Sequence, residues 1–285
     1  MTCSCERPPQ SAGPSNDSTT QHSTRQVFQV KGVVVAVKPR EKSIEIKHEA
    51  IPNYMPGMTM PFDVKDTNEL TGLAPGDPVS FRLTVTDTDG WIDEIHKITG
   101  QTNSAPSQPS VVVLRDVPRL DVGDMFPEYH LTNQFGQAFS TTRFKGQAFA
   151  ITFLFTRCPF PTFCPRMANN FEEVQQALLG STTSPTNWHL LTISFDPDFD
   201  TPAVLKAYAE AHQYRPEHWT FATGSLSEIT TLGDQFGLTF WRENGSINHN
   251  LRTIVVDSNG RVRKVYEGNA WTSAELAKEL GQAAK

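Results

Sequence analysis

Two hydrophobic rhythms divide the chain. Over residues 26–100 the apolar positions form short β-branched or alternating runs: "QVFQVKGVVVAVKP", "KSIEIKHEA", "MTMPFDV", "DPVSFRLTVTD" and "WIDEIHKI". Turn signals separate them, among them Pro39-Arg40-Glu41, Pro75-Gly76-Asp77 and Asp87-Thr88-Asp89-Gly90. Successive side chains of a strand leave opposite faces, so this alternation predicts strands with one face against a core. Five such runs at this spacing predict a small closed all-β barrel, OB-like in kind.

The second rhythm begins beyond "GQTNSAPSQPS", whose Ser, Pro, Gln and Gly content marks residues 101–117 as a linker. Over residues 118–285 strand and helix patterns alternate. "QAFAITFLFT" is continuously apolar, as expected of a strand buried on both faces. The segment "TRCPFPTFCPRM" follows it, and then Phe171, Val174, Leu178 and Leu179 recur at helical spacing. Pro165, just after Cys164, suits the first turn of that helix.

Further on, "WHLLTISF" reads as a strand and "DTPAVLKAYAEAH" as a helix opened by Asp200-Thr201-Pro202. "SLSEITTLGDQF" and "TSAELAKEL" read as helices with capping boxes Ser225…Glu228 and Thr272…Glu275. "LRTIVVD" and "RVRKVYEG" form a hairpin around Ser258-Asn259-Gly260. A βαβ unit followed by a ββα unit, with cysteines at the first strand-to-helix turn, is the order of an α/β thioredoxin-like fold.

Composition narrows the function. At 285 residues with 38% apolar content, the chain can bury two cores without disulfide scaffolding. The formal charge is −6, and residues 26–100 hold eight Lys and Arg against eleven Asp and Glu. A barrel that gripped single-stranded nucleic acid would need a basic groove, so that reading is discarded. No run reaches the roughly 18 apolar residues of a membrane span, and the N-terminus shows no secretory h-region. Residues 1–25 are rich in Ser, Thr, Pro and Gln and predict a disordered tether. Cys3 and Cys5 stand where a mature bacterial lipoprotein carries its lipidated cysteine, so membrane attachment through a lipid anchor competes with two incidental thiols.

Candidate chemistry gathers at two places. In "HEAIPNYMPGMTMPF", His48, Met55, Met58 and Met60 bring together imidazole and thioether donors, which suit Cu(I) or Ag(I) and not hard cations. Met58 and Met60 share one face of a strand. The competing reading makes the methionines adaptable core fillers, and ligand chemistry alone leaves both open. His48, Met58-Thr59-Met60 and Phe62 resemble the CusF-like periplasmic copper-binding domain. That resemblance implies a Cu(I) site built from one His and two Met beneath a Trp. Here Tyr54 and Met55 stand where the Trp would fall, so either a third thioether or the tyrosine ring takes its part.

At the second place Cys158 and Cys164 flank a strand-to-helix turn, where a helix N-terminus favours thiolate. A redox pair, a metal site and a static loop all remain open on spacing. In "INHNLRTIVVD", His249 occupies the loop expected to face this turn, and residues 246–253 lack the Pro of a true thioredoxin. A two-sulfur, one-nitrogen copper site then competes with a backbone-satisfied histidine. Asp196, Asp198 and Asp200 lack the Gly and distant Glu of a calcium loop and read as turn and helix-capping residues.

Residues 118–285 resemble the Sco/SenC family in "TRCP…CP", "ISFDPDFDTPAVLKAYA", "TFATG" and "NHNLRTIVVDSNG". The resemblance carries the family's copper ligands to Cys158, Cys164 and His249, binding Cu(I) or Cu(II). It implies a periplasmic or outer-face copper chaperone serving the dinuclear copper subunit of cytochrome c oxidase or another cuproprotein. This chain has five residues between its cysteines where the family usually has three. Two alternatives stand beside that expectation: a thiol–disulfide oxidoreductase cycling Cys158 and Cys164, and copper or silver sequestration for resistance.

Overall fold

The computed structural model describes residues 25–86, 89–98, 117–243 and 246–285. Nearly all of the expected tether and of the expected linker lies outside them. The N-terminal region folds as β1 (Gln26–Lys38), β2 (Ser43–His48), β3 (Thr59–Asp63), β4 (Pro78–Val85) and β5 (Gly90–Lys97), the five elements that alternation predicts. They form one antiparallel sheet in the order β3-β2-β1-β4-β5. The long β1 pairs with β2 on one side and β4 on the other, which curls the sheet around Ile44, Ile46, Phe62, Phe81 and Leu83.

The OB-like fold is as expected, with one correction. Among the described residues the two edges are joined by a single parallel bridge, between Val64 and Ile92, and no continuous ladder closes the barrel. Gly32 sits at the tightest crossing, where an added Cβ would lie 2.5 Å from Ile46 Cγ2 and 2.7 Å from the Lys47 carbonyl. The β1–β2 approach next to His48 therefore requires glycine.

The C-terminal region comprises β6 (His130–Asn133), β7 (Ala138–Ser140), β8 (Ala148–Leu154), α1 (Cys164–Gly180), β9 (Trp188–Ser194), α2 (Pro202–Ala211) and β10 (Trp219–Thr223). It continues with α3 (Leu226–Gln235), β11 (Phe240–Glu243), β12 (Ser246–His249), β13 (Arg252–Val256), β14 (Val262–Glu267) and α4 (Ser273–Ala283). Seven strands form a mixed sheet in the order β14-β13-β8-β9-β10-β6-β7. β8, β9 and β10 run parallel, and every residue of β8 and β9 is buried, as their unbroken apolar runs require. Val174 of α1 and Leu276 and Leu280 of α4 pack in one core cluster; Ile229 and Leu232 of α3 pack in another. This is the thioredoxin-like arrangement.

Local signals fared unevenly. Thr272 and Glu275 form the full reciprocal capping box of α4. Ser225 accepts from the Glu228 N–H, but Glu228 Oε1 turns away to accept from the backbone N–H of His130, so that box is half made. Thr201, not Asp200, caps α2. The short strands β6, β7, β11 and β12 carry too few residues for a periodic signal.

Candidate metal centre

The cysteine turn is built by the end of β8. The chain leaves the sheet at Leu154, and the Cys158 N–H bonds back to the Phe155 carbonyl at 3.2 Å. Phe160 and Phe163 close a second turn at 3.1 Å, and α1 begins at Cys164. Cys164 thus stands in the first turn of its helix, fully buried, while Cys158 lies on the preceding arm and is partly exposed.

Asp200 pins the base of that arm. Its carboxyl oxygens accept from the Thr156 N–H at 3.0 Å, the Thr156 hydroxyl at 2.5 Å and the Ser194 hydroxyl at 2.5 Å. Asp196, also fully buried, accepts from Arg157 at 2.7 Å and from Arg242 at 2.5 Å. The aspartate run is structural, as expected, but Asp200 acts by tying β8 to the loop after β9 and not by capping a helix.

His249 comes from β12, which pairs with β11. It therefore ends a short strand and does not lie in an open loop, and that pairing sets its backbone direction. Its Nδ1 donates to the Asn250 carbonyl at 2.9 Å, so Nε2 presents its lone pair to the cysteines. Nε2 lies 3.6 Å from Cys164 Sγ, and the three donor atoms of Cys158, Cys164 and His249 all fall within 4.8 Å of one another. Phe195 and Phe163 wall the imidazole, with ring centroids at 4.9 and 5.9 Å.

Burial opposes ionisation of both thiols, yet they separate. For Cys158 the burial is outweighed by the side chains of Cys164 and His249 and by the Cys164 backbone N–H, which hold the thiol well below its ordinary range. Cys164, buried and beside Cys158, is pushed well above it. One sulfur is poised as a thiolate and the other keeps its proton, an arrangement that serves a soft metal or a nucleophilic dithiol equally.

The methionine group sits on the facing domain. β2 and β3 pair Ile46 with Met60 and Lys47 with Thr59, and the His48 N–H bonds the Met58 carbonyl at 2.9 Å. His48, Met58 and Met60 therefore leave the same face of the sheet, with His48 opposite Met58. His48 Nδ1 donates to the Glu49 carbonyl at 2.7 Å, and its ring stands edge-on to Phe62. Met55 closes a tight turn through paired backbone bonds with Ile51. Tyr54 stacks on Phe28 at 4.9 Å and donates its hydroxyl to the Pro159 carbonyl, so its ring is engaged elsewhere.

Met55, Met58 and Met60 line one small cavity together with Cys158 and His249. Cys164 and His48 do not line it. Five of the seven sequence-selected residues thus share one space. The aromatic wall and the two arginines that clamp Asp196, Arg157 and Arg242, carried no local signal that would single them out.

The SCO1/SenC family model matches residues 119–285, and the model for copper binding periplasmic protein CusF matches residues 27–97. An SCO2-like protein of Rickettsia typhi is 30% identical over 173 residues, covering 56% of this chain and 78% of the relative. The structure of a SCO1/SenC family lipoprotein from Bacillus anthracis superposes with a TM-score of 0.51 at 28% identity, covering 56% of this chain and 95% of that one. BsSco, described as a member of the Sco family of cytochrome c oxidase assembly proteins, gives 0.50 at 25% identity over 58% and 96%. The chain belongs to the SCO1/SenC family and carries a CusF-like region at its N-terminus.

Proposed function

We propose that the chain is an extracytoplasmic copper chaperone with two soft-metal modules. The barrel acquires Cu(I) through His48, Met55, Met58 and Met60. The thioredoxin-like domain holds copper through Cys158, Cys164 and His249 and delivers it to the dinuclear copper centre of cytochrome c oxidase. The observation that carries this reading is the convergence of two sulfurs and an imidazole nitrogen within 4.8 Å in an apolar, aromatic-walled site. Its support from likeness is the SCO1/SenC membership, the CusF-like region, and the description of BsSco as belonging to a family of oxidase assembly proteins. The same likenesses favour a periplasmic or outer-face location, with Cys3 or Cys5 as a lipid attachment point.

The unequal thiols suit a second reading equally well, a thiol–disulfide oxidoreductase acting on the cysteines of a copper protein. His249 separates the two, because a reductase does not require an imidazole lone pair. In His249→Ala, affinity for Cu(I) and Cu(II) at the Cys centre should fall at least about tenfold, while dithiol reduction of a model disulfide is retained, slowed only by the loss of the imidazole that favours the Cys158 thiolate. A variant that binds both ions as tightly as the parent refutes the assignment.

A further inference from the structure

The two donor groups are not separate sites joined only by a linker. They open onto a single cavity of about 20 Å³, enough for one water-sized occupant. Met58 and Met60 border it from the barrel, and Cys158 borders it from the other domain. The thioether residues are hardly exposed, Met58 at 7% and Met60 at 3%, so copper held by them faces the cysteine loop and not bulk water.

The loop is held against the barrel by the residues between the two cysteines. Phe160, 2% exposed, stands edge-on to Phe62 of β3 at 6.0 Å. It also lies over Gly90 at the start of β5, where an added Cβ would come within 3.0 Å of its ring. Tyr54 bonds the neighbouring Pro159 carbonyl at 3.2 Å, and Arg166 of α1 reaches Asp89 at 3.0 Å. These contacts place Cys158 on the wall of the cavity that the methionines also line, while its sulfur stays within 4.8 Å of Cys164 Sγ and His249 Nε2.

We infer that Met58, Met60 and Cys158 together bind one Cu(I) in this cavity, a mixed thioether–thiolate position through which the ion crosses between the domains without entering solvent. The inference rests on the copper reading above. Crossing is ligand exchange: the bonds from copper to the two thioethers break as bonds to Cys158 and then Cys164 form. Copper stays Cu(I), no electron moves, and a sulfur that still carries its proton when it becomes a ligand releases that proton to water. Soft sulfur on both sides makes the exchange nearly balanced, which suits a carrier.

The test uses the full chain with Cys3→Ser and Cys5→Ser, grown on selenomethionine, so that thioethers carry selenium and only Cys158 and Cys164 carry sulfur. The reduced protein is loaded with one equivalent of Cu(I) and read by X-ray absorption at the copper and selenium edges. Reference spectra come from Met55→Ile/Met58→Ile/Met60→Ile, restricted at this cavity to sulfur and nitrogen, and from Cys158→Ser/Cys164→Ser, restricted to selenium and nitrogen. The expected parent spectrum shows selenium and sulfur on the same ion, differs from any weighted sum of the references, and belongs to a Cu(I) affinity at least tenfold above either reference. Gly90→Leu, which wedges the Phe160 ring away, should reduce the spectrum to such a sum; Phe160→Ala gives the same readout should the glycine variant fold poorly. A parent spectrum equal to a weighted sum overturns the mixed position while leaving two copper sites intact. Absence of Cu(I) binding in the parent and both references overturns the copper reading itself.

Discussion

Three aspartates in "DPDFD" look alike in sequence, and the structure makes their removal unequal. Asp200 is fully buried and accepts three hydrogen bonds from Thr156 and Ser194. In Asp200→Ala those donors lose their acceptor. A stranded buried donor costs about 1–3 kcal/mol. The two hydroxyls can rotate toward other oxygens, whereas the Thr156 N–H is fixed by the backbone, so the sum after relaxation should be about 3 kcal/mol. For a domain of this size that is about 6–12 °C in the unfolding temperature.

Asp198 is 84% exposed and pairs only with the half-exposed Arg242, so Asp198→Ala should stay within about 0.5 kcal/mol. Urea unfolding and calorimetry of both variants beside the parent read the difference directly. Because Asp200 anchors the arm that carries Cys158, its loss should also weaken copper binding at the Cys centre, and the Asp198 change should not. Equal stability losses, or an Asp200 cost below about 1 kcal/mol, would refute the argument that the buried carboxyl ties β8 to the loop after β9.

His189, buried against Phe144 and bonded to the Thr220 hydroxyl at 2.8 Å, has its pKa lowered by burial, with Arg143 and His218 adding to the effect, from 6.5 to about 3. The folded state therefore refuses a proton that the unfolded chain accepts. Its contribution is fully present above pH 6.5 and is lost as pH falls toward 3, so His189→Gln should flatten the acid limb of a stability–pH curve measured by urea unfolding. An unchanged limb would count against it. Gly32→Ala should destabilise the barrel by more than about 1 kcal/mol and loosen Cu(I) at the methionine face, since the new Cβ meets the strand carrying His48 at 2.5–3.0 Å. Unaltered unfolding and unaltered Cu(I) competition would show that β1 and β2 have room to spread.

Much of the fold was legible because its signals are local. Alternation over five or more residues marked β1 to β5, unbroken apolar runs marked β8 and β9, and Thr272 with Glu275 marked the start of α4. Strands of three or four residues, such as β7 and β12, carry at most two periods and left no such mark. His249 was selected by its distance from the cysteines along a thioredoxin-like order, but its place at the end of a paired strand was not visible, because β11–β12 pairing depends on what packs beneath it.

The residue types alone determined the kind of chemistry. Thioether, thiol and imidazole donors prefer a soft metal wherever they are placed, and the run of short strands followed by alternating strands and helices determined two folds in tandem. Tertiary structure alone decided which donors meet. Cys164 and His249 are 85 residues apart and come to 3.6 Å only because β8 and β13 are neighbours in one sheet. The five residues between the cysteines, an oddity of spacing in the sequence, become the surface that seats Phe160 on the barrel and brings Cys158 to the cavity that Met58 and Met60 line. Periodicity is written within a few residues of itself, whereas a shared site depends on how whole faces pack, and that is resolved only when the chain closes on itself.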